Sequence, residues 1–240
     1  VRDISEIKHP SVRAVLNFME VREGLEIHYD GDLPARSGIG SSSSFTVGLL
    51  NAIYALNGQI RSKQELAETA IHIEQDIIKE TVGSQDQVAA AFGGLNRIDF
   101  LTNGRFTVKP VIVTPERSEQ LNNHLMLFFT GFSRIAETVA KSKVENFHSK
   151  FQHLTRMRAM VDEAQNILQG SVGNLDDFGR MLHEAWRLKR ELSEKVSNSA
   201  IDEIYRVGLS HGALGGKILG AGGGGFVLFY VPLEQQESVR

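Results

Sequence analysis

Apolar positions along the chain alternate between two periods, and the switches mark its elements. Val12, Val15, Leu16 and Met19 follow helical spacing after His9-Pro10, with proline tolerated in the first turn. Leu25, Ile27 and Tyr29 alternate with Glu26 and His28, which predicts a strand over 25–30. Phe45, Val47, Leu49, Leu50, Ile53 and Tyr54 predict a helix over 41–57, stopped at Asn57-Gly58. Ser62 with Glu65 is a capping-box pattern, opening a helix through Leu66, Ala70, Ile73 and Ile77 to about Lys79. A shorter helix is predicted over 84–92, ended by Gly93-Gly94. Asn103-Gly104 between two β-rich runs predicts a hairpin.

The pattern changes around Thr114-Pro115. A buried strand is predicted over 125–130, then helices at about 134–148, 152–169, 174–193 and 199–211, and a closing strand over 226–231. Strands and helices intermix without strict alternation, which predicts an α+β chain of two lobes, 1–115 and 116–240.

Two glycine-rich loops interrupt these elements. Pro34-Ala35-Arg36-Ser37-Gly38-Ile39-Gly40-Ser41-Ser42-Ser43-Ser44 lies between the predicted strand and a helix. Polyphosphate binding asks for such a loop: glycine lets backbone approach closely, and helix-start N–H groups face outward with the dipole favouring anions. Serine hydroxyls add donors or a metal ligand. A solvated linker has the same composition, but it would not sit tightly between a strand and an amphipathic helix. No Gly-Lys-Ser/Thr closes the loop, and its spacing is not that of a dinucleotide fold. The second loop, Gly215 to Gly225, ends in four successive glycines before Phe226-Val227-Leu228-Phe229-Tyr230-Val231. A simple turn needs one or two glycines, so a second close approach of backbone is the better account.

Together these loops resemble signature motifs of the GHMP kinases, the galactokinase, homoserine, mevalonate and phosphomevalonate kinase family. Pro-x-x-x-Gly-Ile-Gly-Ser-Ser-Ser is similar to the second motif, and Lys217 to Gly225 to the third. Glu74 to Gly94 resembles the segment carrying the family's metal-binding glutamate and active-site aspartate. Val82 to Gly94 and Trp186-Arg187-Leu188-Lys189-Arg190 resemble the branch that acts on heptose 7-phosphate and L-fucose. The resemblance implies a ribosomal-protein-S5-like N-terminal lobe and a ferredoxin-like C-terminal lobe. The family's first motif, an N-terminal hairpin with sugar-binding residues, has no counterpart in Val1 to Glu23. The chain is therefore expected to lack the front of the first lobe, with a C-terminal tail missing too, and to be inactive alone.

Composition narrows the partners. At 41% hydrophobic and 23% charged, 240 residues build an ordinary globular core. A formal charge of −3 without a basic run argues against nucleic acid. No apolar run is long enough to span a membrane and no secretory signal is visible, and the chain has no cysteine, which excludes disulfides and thiol catalysis and fits a cytoplasmic protein. The eight histidines show no metal-ligand spacing.

The resemblance then implies roles. Pro34, Gly38, Gly40, Ser41, Ser42, Ser43, Gly220, Gly222 and Gly223 would line the phosphates of ATP. Ser42 and Glu74 would hold Mg²⁺, directly or through water. Asp86 would orient or deprotonate the acceptor hydroxyl, with Lys217 or Arg134 offsetting charge. By pattern alone, Glu74 is a boundary-face charge and Asp86 an early-helix acid favoured by the dipole. Trp186 and the phenylalanines read as core. The implied activity is ATP-dependent phosphorylation of the anomeric hydroxyl of a heptose 7-phosphate. L-fucose, a catalytically silent binding protein of the same fold and a mevalonate-type decarboxylase stay open. A homodimer is compatible.

Overall fold

A proline at the start and apolar residues every three to four positions give α1, Pro10–Phe18, which buries Ala14, Val15 and Leu16. A computed structural model describes residues 1–240 apart from 23, 34–36, 133–138, 141, 143–145 and 147–148. Two units form, Val1–Arg36 with Gly40–Gly94, and Ser37–Ile39 with Leu95–Arg240.

The described elements of the first unit are helical. The helix α2, Ser41–Leu56, buries Val47, Leu49, Leu50, Ile53 and Tyr54 against α1. The predicted capping box opens α3, Lys63–His72: the Ser62 hydroxyl accepts from the Glu65 N–H at 3.2 Å, and the Glu65 carboxylate accepts from the Ser62 N–H at 2.8 Å. The helix then widens into a π-turn, Ile73–Ile77, where the Ile78 N–H reaches the Ile73 carbonyl at 2.9 Å. Such π-turns are frequent at functional sites. Helix α4, Gln85–Phe92, packs on α2 and α3, and its last carbonyl accepts from Lys63 Nζ at 2.6 Å.

The strand predicted over 25–30 does not form. Those residues are in no ladder, and Tyr29 is 64% exposed. Alternation describes a surface that pairs well, but a strand also needs a partner for its backbone groups. None exists among the described residues of this unit. Tyr29 instead sets its ring edge-on to Phe45, 4.8 Å away.

The second unit begins with the predicted hairpin, β1 Asn96–Phe100 antiparallel to β2 Phe106–Pro110, with Phe100 opposite Phe106. Helix α5, Pro115–His124, was not legible, because none of its residues is buried and the apolar period is silent. Its start was: Thr114 accepts from the Arg117 N–H at 3.2 Å, with proline in the first turn. Strand β3, Leu125–Phe129, is half-exposed rather than buried, because among the described residues it pairs only with β5 and forms a sheet edge.

Helices α6, Phe151–Gln169, and α7, Leu175–Arg190, pack on each other, and α8, Ser199–Ser210, follows an Asn198 cap. The helix expected at about 134–148 lies largely outside the described residues. Strands β4, Gly215–Ile218, and β5, Phe226–Tyr230, complete an antiparallel sheet of order β3-β5-β4. Central β5 places Val227 and Phe229 in a core with Trp186, Ile201 and Tyr205. Truncating a core aromatic such as Phe229 to alanine costs about 3–5 kcal/mol. Mixed helix and strand is the composition that the sequence predicted.

Candidate active site

In the first unit, α2 starts from Gly40 in the left-handed conformation, φ 74° and ψ 20°, and no side chain caps it. Only glycine adopts that backbone without strain. The Ser44 N–H closes the first turn on the Gly40 carbonyl at 2.9 Å. The N–H groups of Ser41, Ser42 and Ser43 precede the first intrahelical bond and carry the positive end of the dipole, a receptor suited to phosphate. Beside it lies Asp86, in the first turn of α4. A Cβ on Gly40 would stand 3.4 Å from the Asp86 carboxyl carbon.

Glu74 sits on the π-turn and is 2% exposed, not the boundary charge its pattern suggests. Its Oε2 accepts from the Ser43 hydroxyl at 2.9 Å and from Gln87 Nε2 at 2.5 Å. Its Oε1 is buried without a hydrogen-bond partner. A buried polar group left so costs about 1–3 kcal/mol, and more when charged. A hard cation, taking oxygen ligands, answers that demand, so the donor set fits Mg²⁺. The described residues hold no group of three or more metal-ligating His, Asp or Glu side chains. That suits an ion whose remaining ligands are nucleotide oxygens and water.

The serine joined to Glu74 is Ser43, where sequence reasoning paired Glu74 with Ser42. Ser42 is exposed, and its carbonyl accepts from Thr46 Oγ1 at 3.2 Å. Gln87 was missed, although its position beside Asp86 on a helix packed against α3 was available as a signal.

In the second unit, the loop residues 37–39 meet the glycine loop between β4 and β5. The Phe226 N–H donates to the Ser37 carbonyl at 3.1 Å. A Cβ on Gly225 would stand 2.1 Å from that same oxygen, and one on Gly220 2.7 Å from the Gly38 Cα. Gly222 and Gly223 are buried near Val196, whose carbonyl accepts from the Gly223 N–H at 2.8 Å. The close approach inferred from four successive glycines is therefore present, and protein backbone makes it.

Lys189, on α7, is buried and donates to the carbonyls of Ile218 at 3.1 Å and Gly220 at 2.6 Å, fixing the start of this loop. A lysine three residues after buried Trp186 was the sequence signal for it. Lys217 lies in β4 opposite Leu228, half-buried, and desolvation lowers its ammonium pKa from the usual lysine value. Pro34 and Arg134 lie outside the described residues. A cavity of about 570 Å³ opens between the ends of α7 and α8. Among the described residues Glu191, Glu194 and Asp202 line it with Arg187 and Arg190, and Arg190 is paired to Asp202 at 2.8 Å.

Known proteins share this fold. The family described as GHMP kinases N terminal domain matches residues 9–94, and GHMP kinases C terminal matches residues 160–240. The D-glycero-alpha-D-manno-heptose 7-phosphate kinase of Campylobacter jejuni is 32% identical over 222 residues, covering 91% of this chain and 65% of that protein. The bifunctional fucokinase/GDP-fucose pyrophosphorylase of Arabidopsis thaliana is 26% identical, over 88% of this chain and 20% of that protein. A crystal structure of a D-glycero-D-manno-heptose 1-phosphate kinase from Bacteroides thetaiotaomicron superposes with a TM-score of 0.67 at 26% identity, over 96% of this chain and 65% of that one. The chain thus spans about two thirds or less of the length of these proteins. With both of the family's domains matched in order, the chain belongs to the GHMP kinase family.

Proposed function

We propose that this chain carries the phosphotransfer centre of an ATP-dependent sugar kinase, and that its acceptor is the anomeric hydroxyl of a heptose 7-phosphate. The observation that carries the reading is the uncapped start of α2 at Gly40 with the Asp86 carboxylate beside it: a phosphate receptor next to a candidate base. The heptose 7-phosphate kinase relative supports the acceptor. The fucokinase relatives support L-fucose as the second reading.

Phosphoryl transfer is mostly positioning and charge neutralisation. In this reading the N–H groups of Ser41 to Ser43 hold the nucleotide phosphates. Ser42 and Glu74 hold Mg²⁺, which when bound neutralises charge on the transferring group. Asp86 orients the acceptor hydroxyl and takes its proton as the new oxygen–phosphorus bond forms and the bond to ADP breaks. ATP and Mg²⁺ as reactants accord with a cytoplasmic location, and no helix among the described residues is long and apolar enough to cross a membrane.

The test, run on the full-length protein, is ADP release measured across sugars and sugar 7-phosphates, with inorganic phosphate followed in parallel. A heptose 7-phosphate should give the highest kcat/KM, with ADP released and no free phosphate. Preference for L-fucose would move the substrate to the second reading. ADP release that no sugar accelerates, or release of free phosphate, would reject sugar phosphorylation.

A further inference from the structure

We infer that Gln87 and Ser43 are positioning residues for the metal ligand Glu74: by donating together to Oε2 they turn Oε1 toward the ion. The inference rests on the reading of Glu74 as a Mg²⁺ ligand and goes beyond it, to why that carboxylate presents one oxygen.

Three buried side chains from three helical segments meet here. Ser43 comes from the first turn of α2, Glu74 from the π-turn and Gln87 from α4. Both donors reach the same oxygen, Oε2, at 2.9 and 2.5 Å. A carboxylate has about four lone-pair sites on its two oxygens. With Oε2 engaged twice and Oε1 unpaired and buried, the asymmetry leaves one oxygen for a further ligand.

The amide of Gln87 has one workable orientation. Rotated by half a turn, its oxygen would face the carboxylate oxygen and both would repel. Its own Oε1 is also buried without a partner, so the bond to Glu74 is what orients the side chain. Such outer partners of a ligand fix its rotamer and tune its basicity, and losing one typically costs 10–100-fold in metal affinity. Gln87 therefore works beside Asp86 on one helix turn while acting through Glu74.

Binding in the absence of sugar isolates this role from turnover. ADP affinity is measured by calorimetry with and without Mg²⁺ for the wild type, Gln87→Met, Ser43→Ala, Ser43→Thr and Glu74→Gln. Gln87→Met keeps volume and removes the donor. It should weaken Mg²⁺-dependent ADP binding by about 10–100-fold while metal-free ADP affinity changes less than about twofold. Ser43→Ala should act in the same direction, and Ser43→Thr, which keeps the hydroxyl, should recover most of the loss. If Gln87→Met does not fold, the two Ser43 variants decide by the same criterion. Equal losses with and without Mg²⁺, or no loss at all, would overturn the inference. Should Glu74→Gln abolish the Mg²⁺ effect while Gln87→Met and Ser43→Ala leave it intact, positioning alone fails and the metal reading stands. If Glu74→Gln binds as the wild type does, both fail.

Discussion

Asp86 lies against Gly40: a Cβ built on that glycine would meet its carboxyl carbon at 3.4 Å. The contact joins the candidate base to the residue that opens α2, so substitutions at Gly40 separate backbone strain from displacement of the carboxylate. Gly40→Ala places a methyl at ordinary contact distance and forces a left-handed alanine, costing about 1–2 kcal/mol. Gly40→Val adds a branch that must move Asp86. Alanine should lower the melting temperature by roughly 2–8 °C, from about 2–4 °C per kcal/mol. Valine should also lower kcat by about 100-fold, the loss expected when a reacting group is misplaced by about 1 Å. Calorimetry and steady-state kinetics on the two variants check this, and equal kcat values for alanine and valine would remove the coupling.

The metal reading makes its own demand. Glu74→Gln keeps shape and removes the charge, so it should raise the Mg²⁺ concentration needed for half-maximal activity by about tenfold or more. Ser42→Ala should act in the same direction. Titrating Mg²⁺ at fixed ATP measures both, and an unchanged Mg²⁺ requirement in each would leave these residues as shapers of the loop.

For the second glycine loop, stability is the readout. Gly225 has a φ of 93°, and a Cβ there would stand 2.1 Å from the Ser37 carbonyl. Overpacking costs about 1–3 kcal/mol and the left-handed backbone about 1–2 kcal/mol more. Gly225→Ala should therefore lower the melting temperature by roughly 4–20 °C. Gly223→Val should likewise lose stability and activity together, because Gly223 is buried and its N–H is engaged by Val196. Activity lost from either variant at an unchanged melting temperature would instead give the loop a direct part in binding.

Lys217 supplies a pH test. Burial lowers its folded pKa, whereas the unfolded chain keeps the ordinary value of about 10.4. Between those two values the unfolded state binds the extra proton, so stability rises with pH across that window. Lys217→Met should flatten this rise and increase the melting temperature at neutral pH, as seen in thermal unfolding at pH 8 and pH 10. An unchanged slope would show that Lys217 is not the group responsible.

Much of this was readable from residues, and the failures share a cause. The Ser62–Glu65 capping box, the Asn103-Gly104 hairpin and the helices of α2 and α7 are local signals, and each appears where its residues place it. The strand at 25–30 failed because pairing is not local. Helix α5 was hidden because none of its residues is buried. The burial of Glu74 was invisible, since a carboxylate between Ile71 and Ile77 reads as a surface charge until Ser43 and Gln87 are brought to it from other helices. Lys189 is similar: its use is set by two carbonyls about thirty positions later in the chain. Glycine runs announce close approach, but not what approaches.

The central claim is that Asp86 serves transfer of phosphate from ATP to a sugar hydroxyl. Phosphorus NMR of a reaction containing ATP, Mg²⁺ and a heptose 7-phosphate, run with the full-length wild type and with its Asp86→Asn variant, tests it most directly. The wild type should give ADP and, in equal amount, a second phosphate ester on the sugar at the anomeric position. Asp86→Asn should form the same product about 10²–10⁴-fold more slowly, with nucleotide affinity unchanged. A wild type that yields only inorganic phosphate, or an asparagine variant that turns over at the wild-type rate, would contradict the account.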